Sequence, residues 1–349
     1  SKGYREIDVY GNWGQILDIK NRKLSESINK YSFWINTNKN FNLKSIVEEF
    51  SLNFNKPKSF YLNILNKKSN YIYIEKNILF LDCKDILQNL DKLKGLNVKR
   101  ESKRFYPYNN LASQAIGYVD ADGFGQGGIE GNFNTTLSGD TISTKLKKGA
   151  KGKYYNNSEI KNINGKDIRL TIDMNLQFIA YKELKSAIKS HRAKSGSLIM
   201  LDVGSGEVLA MVNQPSYNPN NRVGLDMSAV RNRALTDVFE PGSTVKPFTV
   251  GVALQSGNYS PQSTIDTAPG FVRVDNFTVR DPRNRGEITL GEIIVHSSQV
   301  GISKLALDLN EYEVWGMFEK VGFGRDVGTG FPGESLGYLP NHRKWKNID

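Results

Sequence analysis

The chain has 349 residues, 38% of them apolar and 24% charged, which is enough for two domains with substantial cores and excludes a disordered or fibrous protein. Its formal net charge of +11 raises nucleic acid as a partner, but the basic residues are spread through Asn- and Lys-rich stretches such as Lys39 to Lys44 and Lys56 to Lys68, without an aromatic-plus-basic recognition module. Nucleic acid is therefore not expected, and genome composition or attraction to an anionic membrane surface or wall polymer accounts for the charge.

No apolar run reaches the ~18 residues of a membrane-spanning helix, and no signal peptide opens the chain. The single Cys83 has no intramolecular disulfide partner, and in the run Ile78-Leu79-Phe80-Leu81-Asp82-Cys83 it reads as a small buried hydrophobe.

Along residues 1–165, short amphipathic helices are predicted over Phe41 to Phe50 and through Ile86, Leu87, Leu90 and Leu93, with strands at Tyr71 to Glu75 and Asn97 to Arg100. The glycine-rich stretch Gly123 to Gly131 reads as a turn, because no Lys-Ser/Thr pair follows and no βαβ frame surrounds it as a phosphate loop requires. Lys145 to Lys153 predicts an exposed hairpin, and Asn162 to Gly165 a domain junction.

From residue 166 helix and strand signals alternate. Asp173 caps a predicted helix with the stripe Leu176, Ala180, Leu184, Ala187 and Ile188. Two strands follow, Leu198 to Val203 and Glu207 to Asn213, joined by Gly204-Ser205-Gly206. Thr289 with Glu292 forms a capping box for a helix ending near His296. Asn310 with Glu313 caps another, with Val314, Met317, Phe318 and Val321 inward.

Between these elements lies Phe239-Glu240-Pro241-Gly242-Ser243-Thr244-Val245-Lys246-Pro247. Pro241-Gly242 is turn chemistry, and Val245, Phe248, Val252 and Leu254 supply the apolar face of a helix stopping at Gly257. Ser243 and Lys246, three apart on one face, can enter the same cleft as a nucleophile and its base. A lysine serves as base only if desolvation or nearby positive charge lowers its pKa from about 10.4. Taken alone, Ser-x-x-Lys reads instead as a helix cap beside a solvated lysine. His296 lacks a carboxylate partner in the sequence, so a Ser-His-Asp triad is not expected, and no metal or cofactor site is visible.

The surroundings decide between those readings. Glu240 to Pro247 resembles the active-site signature of the penicillin-binding protein transpeptidases. The run Ser195 to Val212, then Pro215 to Asn221 and Arg231-Asn232-Arg233-Ala234, follows the family's order, as does Ser297-Ser298-Gln299 in place of its Ser-x-Asn motif. Arg104 to Pro107, Leu111 to Tyr118 and Gly127-Gly128-Ile129-Glu130 are similar to the family's pedestal, whose opening Arg-Gly-x-Ile-x-Asp-Arg stands here as Trp13-Gly14-Gln15-Ile16-Leu17-Asp18-Ile19 without either arginine.

The wording around Phe239 and Tyr217-Asn218-Pro219 is most similar to the class B, division-type members; an elongation-type enzyme is the nearest alternative. A D,D-carboxypeptidase, a serine β-lactamase, or a β-lactam- or peptidoglycan-binding protein without cross-linking activity are the others.

The resemblance implies an α+β fold, with a pedestal over 1–165 and an incomplete transpeptidase domain over 166–349, its helices packed on an antiparallel sheet. It implies that Ser243 acylates on peptidoglycan stem peptides and that Lys246 takes its proton. It also implies that Ser297 relays a proton to the leaving amine, and that Gln299 and Ser298 bind substrate. β-Lactams would inhibit covalently; a membrane glycosyltransferase and other division proteins would be partners, at the periplasmic face of the inner membrane on an anchor preceding this chain. The family's third motif, Lys-Ser/Thr-Gly, is expected after Ser297, yet the match Lys194-Ser195-Gly196 precedes the nucleophile. A C-terminally truncated chain is therefore expected, lacking an oxyanion donor worth about 100- to 1000-fold in rate.

Overall fold

In the computed structural model, residues 4–148, 154–155 and 163–347 are described, and the chain forms two compact units, 1–234 and 235–349. In the first unit, the long strand Lys23–Asn36 lies between Tyr71–Leu79 and Leu96–Phe105, antiparallel to both, with Trp34 opposite Tyr73 on one side and Asn97 on the other. Alternation puts Phe33 and Ile35 of that strand and Ile72 and Ile74 of its neighbour on one face, where the helices Leu43–Phe54, Lys58–Leu65 and Phe80–Gln88 cover them with Phe50, Tyr61 and Ile86. Cys83 is fully buried in this core, as its apolar run predicts.

The short strand Ile16–Leu17 pairs antiparallel with Lys23–Asn36 and parallel with Ile168–Arg169. Gly14, just before it, lies so close to the backbone of Lys166 that an added Cβ would meet that carbonyl at 2.0 Å. The opening motif lacks the family's two arginines, and here Arg22 links its strand to residue 173: its guanidinium donates to buried Asp18 at 2.7 Å and to Asp173 at 2.8 Å, while Lys20 pairs with Asp173 at 2.7 Å.

Thr141–Lys148 pairs with Tyr4–Tyr10 and with Tyr154–Tyr155; the turn expected between Lys145 and Lys153 has its tip, 149–153, outside the described residues, as does Asn162 of the expected junction. Asp173 caps Met174–His191 by accepting the Asn175 N–H, and that helix packs Ala180 and Tyr181 on Ala210 and Val212 of the hairpin Gly196–Leu201 and Val208–Gln214.

Helices build the core of the second unit. Lys246–Gln255, Leu290–Val295 and Gln299–Asp308 surround a core of Val250, Ala253, Ile288, Leu290, Ile293 and Leu305, and Glu311–Lys320 packs on Lys246–Gln255 with Phe318 against Phe248. Its strands form two small antiparallel ribbons, Thr264–Asp266 with Glu287–Thr289 and Phe271–Val274 with Phe277–Arg280. Among the described residues from 166 onward, the antiparallel strands form two-stranded pairings, beside the short parallel pairing of Ile168–Arg169. Two details of the predicted helices differ. Asn310 caps Glu311–Lys320 through the Tyr312 N–H rather than with Glu313, and Val321, expected inward, is exposed because the helix has ended before it.

Candidate active site

The Ser243 segment is a single 3-10 turn, Gly242–Val245, running directly into Lys246–Gln255. Gly242 has φ +57°, which suits a residue without a Cβ, and Thr244 donates its hydroxyl back to Pro241 O at 2.6 Å, tightening the turn. Pro247 occupies the first helical turn, where its missing N–H costs nothing. The buried face of the helix is Lys246, Thr249, Val250 and Ala253 at i, i+3, i+4 and i+7, so the lysine sits on the core stripe itself, whereas Leu254, expected on that face, is exposed. Ser243, one turn earlier, is exposed.

Ser297 arrives from a different helix. The capping box of Thr289 and Glu292 starts Leu290–Val295 as predicted, and its C-terminus closes with Ser297 N–H on Ile294 O at 3.0 Å and Ser298 N–H on Ile293 O at 2.9 Å. Those two bonds are the Schellman pattern, whose left-handed position is usually glycine. Here it is Ser297, with φ +52°. A left-handed non-glycine residue is strained by about 1–2 kcal/mol, and such strain is retained where the surrounding structure holds it.

These elements bring three predicted residues together. Lys246 Nζ donates to Ser297 Oγ at 3.0 Å and to Ser297 O at 2.7 Å, and Ser297 Oγ donates to Ser243 Oγ at 2.9 Å. The link from lysine to nucleophile therefore passes through Ser297, where the i, i+3 spacing suggested direct contact. Burial pushes the Lys246 ammonium below its usual lysine range, while the carboxylate of Asp281 pulls it back up. A neutral amine keeps two N–H donors and one lone pair: it can hold Ser297 O and accept the Ser297 hydroxyl proton, and because hydroxyl protons rotate, the same three atoms carry a proton from Ser243 to Lys246.

The other two predicted residues are divided in role. Ser298 is buried; its hydroxyl donates to Asp281 Oδ2 at 2.5 Å and accepts the Gly301 N–H at 2.9 Å, which caps Gln299–Asp308. Its side chain is thus committed to the fold, where the sequence suggested substrate binding. Gln299 is exposed at the first position of that helix.

Sequence reasoning missed Asp281. It follows the strand Phe277–Arg280 and accepts from Ser298 Oγ, Gln299 N and Val300 N. An acid at a helix N-terminus is the signal, but this one comes from a separate segment and no local spacing reveals it. Among the described residues no cluster of His, Cys, Asp and Glu is placed to hold a metal ion.

Residues 9–170 match the penicillin-binding protein dimerisation domain, and residues 196–349 match the penicillin-binding protein transpeptidase domain. A probable peptidoglycan D,D-transpeptidase, PbpC, of Pseudomonas aeruginosa is 35% identical over 99% of this chain and 62% of its own length. The peptidoglycan D,D-transpeptidase FtsI of Escherichia coli is 36% identical over 81% of this chain and 48% of its own. The chain spans between 48% and 62% of the lengths of these two relatives. In fold it is similar to the crystal structure of penicillin binding protein 2X from Streptococcus thermophilus, with a TM-score of 0.78 at 21% identity over 96% of this chain and 55% of that one. With a dimerisation match, a transpeptidase match and a Ser-x-x-Lys site on one chain, it belongs to the class B penicillin-binding proteins.

Proposed function

We propose that this chain carries the acyl-transfer site of a peptidoglycan D,D-transpeptidase that cross-links stem peptides during septal wall synthesis. The supporting observation is the continuous path from Ser243 through Ser297 to the buried Lys246, with links of 2.9 and 3.0 Å. Ser243 Oγ attacks the carbonyl between the two terminal D-alanines as its proton passes through Ser297 to neutral Lys246. The tetrahedral intermediate collapses when the same path returns that proton to the leaving amine, releasing the last D-alanine and an acyl-Ser243 ester. An amine of a second stem peptide then attacks the ester, its proton leaves by Ser297 and Lys246, and Ser243 is regenerated with a new amide formed. The side chain of exposed Gln299 binds the substrate backbone.

The septal assignment is supported by relatives named FtsI. A solved complex of penicillin-binding protein PBP2 with MreC from Helicobacter pylori, 22% identical, shares the fold and keeps an elongation-type role as the second reading. Action at the periplasmic face of the inner membrane, beside a membrane glycosyltransferase, belongs to the same proposal. So does a domain boundary at 165/166, just inside the end of the dimerisation match at 170 and ahead of the transpeptidase match that begins at 196.

The test is intact-mass and peptide mass spectrometry of the full-length protein after benzylpenicillin. One adduct is expected, on the peptide holding Ser243, and Ser243→Ala should abolish it. An adduct elsewhere, or one that survives the substitution, overturns the assignment.

A further inference from the structure

The proton path depends on Ser297 staying in a left-handed conformation that its own side chain disfavours. The Schellman closure holds it from the N-terminal side and the Lys246 bond to Ser297 O from within the site. On the C-terminal side, one carboxylate engages the next three residues. Asp281 Oδ2 accepts the Ser298 hydroxyl at 2.5 Å, and Asp281 Oδ1 accepts the backbone N–H groups of Gln299 and Val300 at 2.6 and 3.1 Å. The clamp is itself anchored, since the Asp281 N–H donates to Gly270 O at 3.0 Å beside the ribbon Phe271–Val274 and Phe277–Arg280.

We propose that Asp281 is a positioning residue for acyl transfer, fixing the start of Gln299–Asp308 so that Ser297 Oγ stays between Lys246 Nζ and Ser243 Oγ. This rests on the acyl-transfer reading above. The hydrogen bonds of Asp281 run to Ser298, Gln299 and Val300, so it acts on the path through the backbone that follows Ser297. Carboxylate is suited to the task because every group it meets is a donor; an amide in its place would turn an N–H toward one of them. Among the described residues, Asp281 is also the charged group whose field reaches Lys246, and it favours the protonated amine. Loss of the charge therefore changes geometry and proton affinity together, and a purely structural carboxylate would change only the amount of folded protein.

The experiment measures second-order acylation of the full-length protein by benzylpenicillin from about pH 6 to about pH 10, spanning the ordinary lysine range, for the parent, Asp281→Asn and Asp281→Glu, with thermal melting as the folding control. In Asp281→Asn the rate per folded molecule should fall about 10- to 100-fold, as for a small misplacement of a reacting group. The midpoint of its rising limb should also move to lower pH, because the anion near Lys246 is gone. Asp281→Glu keeps the charge on a longer arm, so its rate should fall while the midpoint stays with the parent. Parental rate in Asp281→Asn, a loss that only tracks the folded fraction with an unmoved midpoint, or an equal downward shift in Asp281→Glu would each overturn the inference. Absence of a parental adduct on Ser243 would overturn the acyl-transfer reading and this inference with it, whereas a parental adduct with a fully active Asp281→Asn overturns this inference alone.

Discussion

Arg104 in the first unit and Lys246 in the second are both buried cations with different partners. Arg104 Nε donates to Glu130 at 2.7 Å, its Nη1 donates to Gly14 O at 2.6 Å, and the Trp13 ring lies 5.3 Å from the guanidinium carbon. Glu130, fully buried, also accepts Ser25 Oγ at 2.7 Å. Desolvation of each ion is offset by the other, so the pair ties four segments of the pedestal together, those of Gly14, Ser25, Arg104 and Glu130. Lys246 is given a hydroxyl and a carbonyl as direct partners, and its carboxylate, Asp281, is spent on backbone and hydroxyl donors. Its charge is under-compensated, and burial pushes the ammonium down. A contacting carboxylate makes a buried cation an anchor, and neutral partners make it a base. Lysine suits the second task because a guanidinium does not deprotonate.

Exchanging each cation for an apolar side chain of similar length tests this contrast most strongly. Lys246→Met should lower acylation about 100- to 10,000-fold, the usual worth of a general base, and change stability by only about 1 kcal/mol, because no counter-charge is stranded. Arg104→Met strands Glu130 and should cost about 3–5 kcal/mol in denaturant unfolding, with acylation per folded molecule retained. A neutral Arg104→Met, or a Lys246→Met that unfolds, would break the comparison. Ser297→Gly comes next. It removes the relay hydroxyl, and acylation should fall about 100-fold. Relief of about 1–2 kcal/mol of left-handed strain should outweigh or match the ~0.5–1 kcal/mol entropic cost of glycine. A melting temperature at or above the parent's is expected, and a clear loss would show that the serine conformation is not strained.

What was legible in the sequence was local. Ser243 and Lys246 share a helical face, Thr289 and Glu292 lie one turn apart, and Asp173 immediately precedes its helix, so spacing alone finds them. What was missed depends on residues brought from a distance. Asp281 acts on Ser298 from a preceding ribbon, and Arg22 bonds Asp173, 151 positions away. Ser298 looked like a site hydroxyl because the motif places it beside Ser297; the left-handed turn at Ser297 sends the two side chains to different partners.

The Arg22 cluster adds a third environment, partly exposed, with an effect that depends on pH. Lys20 beside Asp173, with the Asn175 N–H and Arg22, holds the Asp173 carboxyl down at about 2. For Asp18, burial pushes the pKa up, but hydrogen bonds from Arg22, Met174 and Lys20 outweigh it and leave it lowered. Both folded values lie below the unfolded ones, so this stabilisation is complete above the ordinary aspartate pKa of about 3.9 and is lost as the pH falls through the folded values. Arg22→Leu should therefore melt a few degrees below the parent at neutral pH, roughly a 1–2 kcal/mol effect. That gap should narrow between about pH 4 and about pH 2. A gap independent of pH would mean that Arg22 contributes through packing rather than charge.

The smallest effect is expected at Gln299, where backbone and side chain fall on opposite sides of the contrast. Its N–H belongs to the Asp281 clamp at 2.6 Å, and its exposed side chain is proposed to bind the substrate backbone. Gln299→Ala keeps the clamp and improves helix propensity, so melting should hold or rise slightly. Acylation should fall by about 0.5–1.5 kcal/mol, or roughly 2- to 10-fold, the net worth of one hydrogen bond. Gln299→Asn restores the amide the family uses at this position, on an arm shorter by one methylene, and should retain most of the rate. Because both variants leave the Asp281 bonds intact, their pH midpoint should match the parent's, which separates a side chain that binds substrate from a carboxylate that positions Ser297. If Gln299→Ala acylates as fast as the parent, the side chain is a spectator, and substrate orientation falls to groups other than this amide.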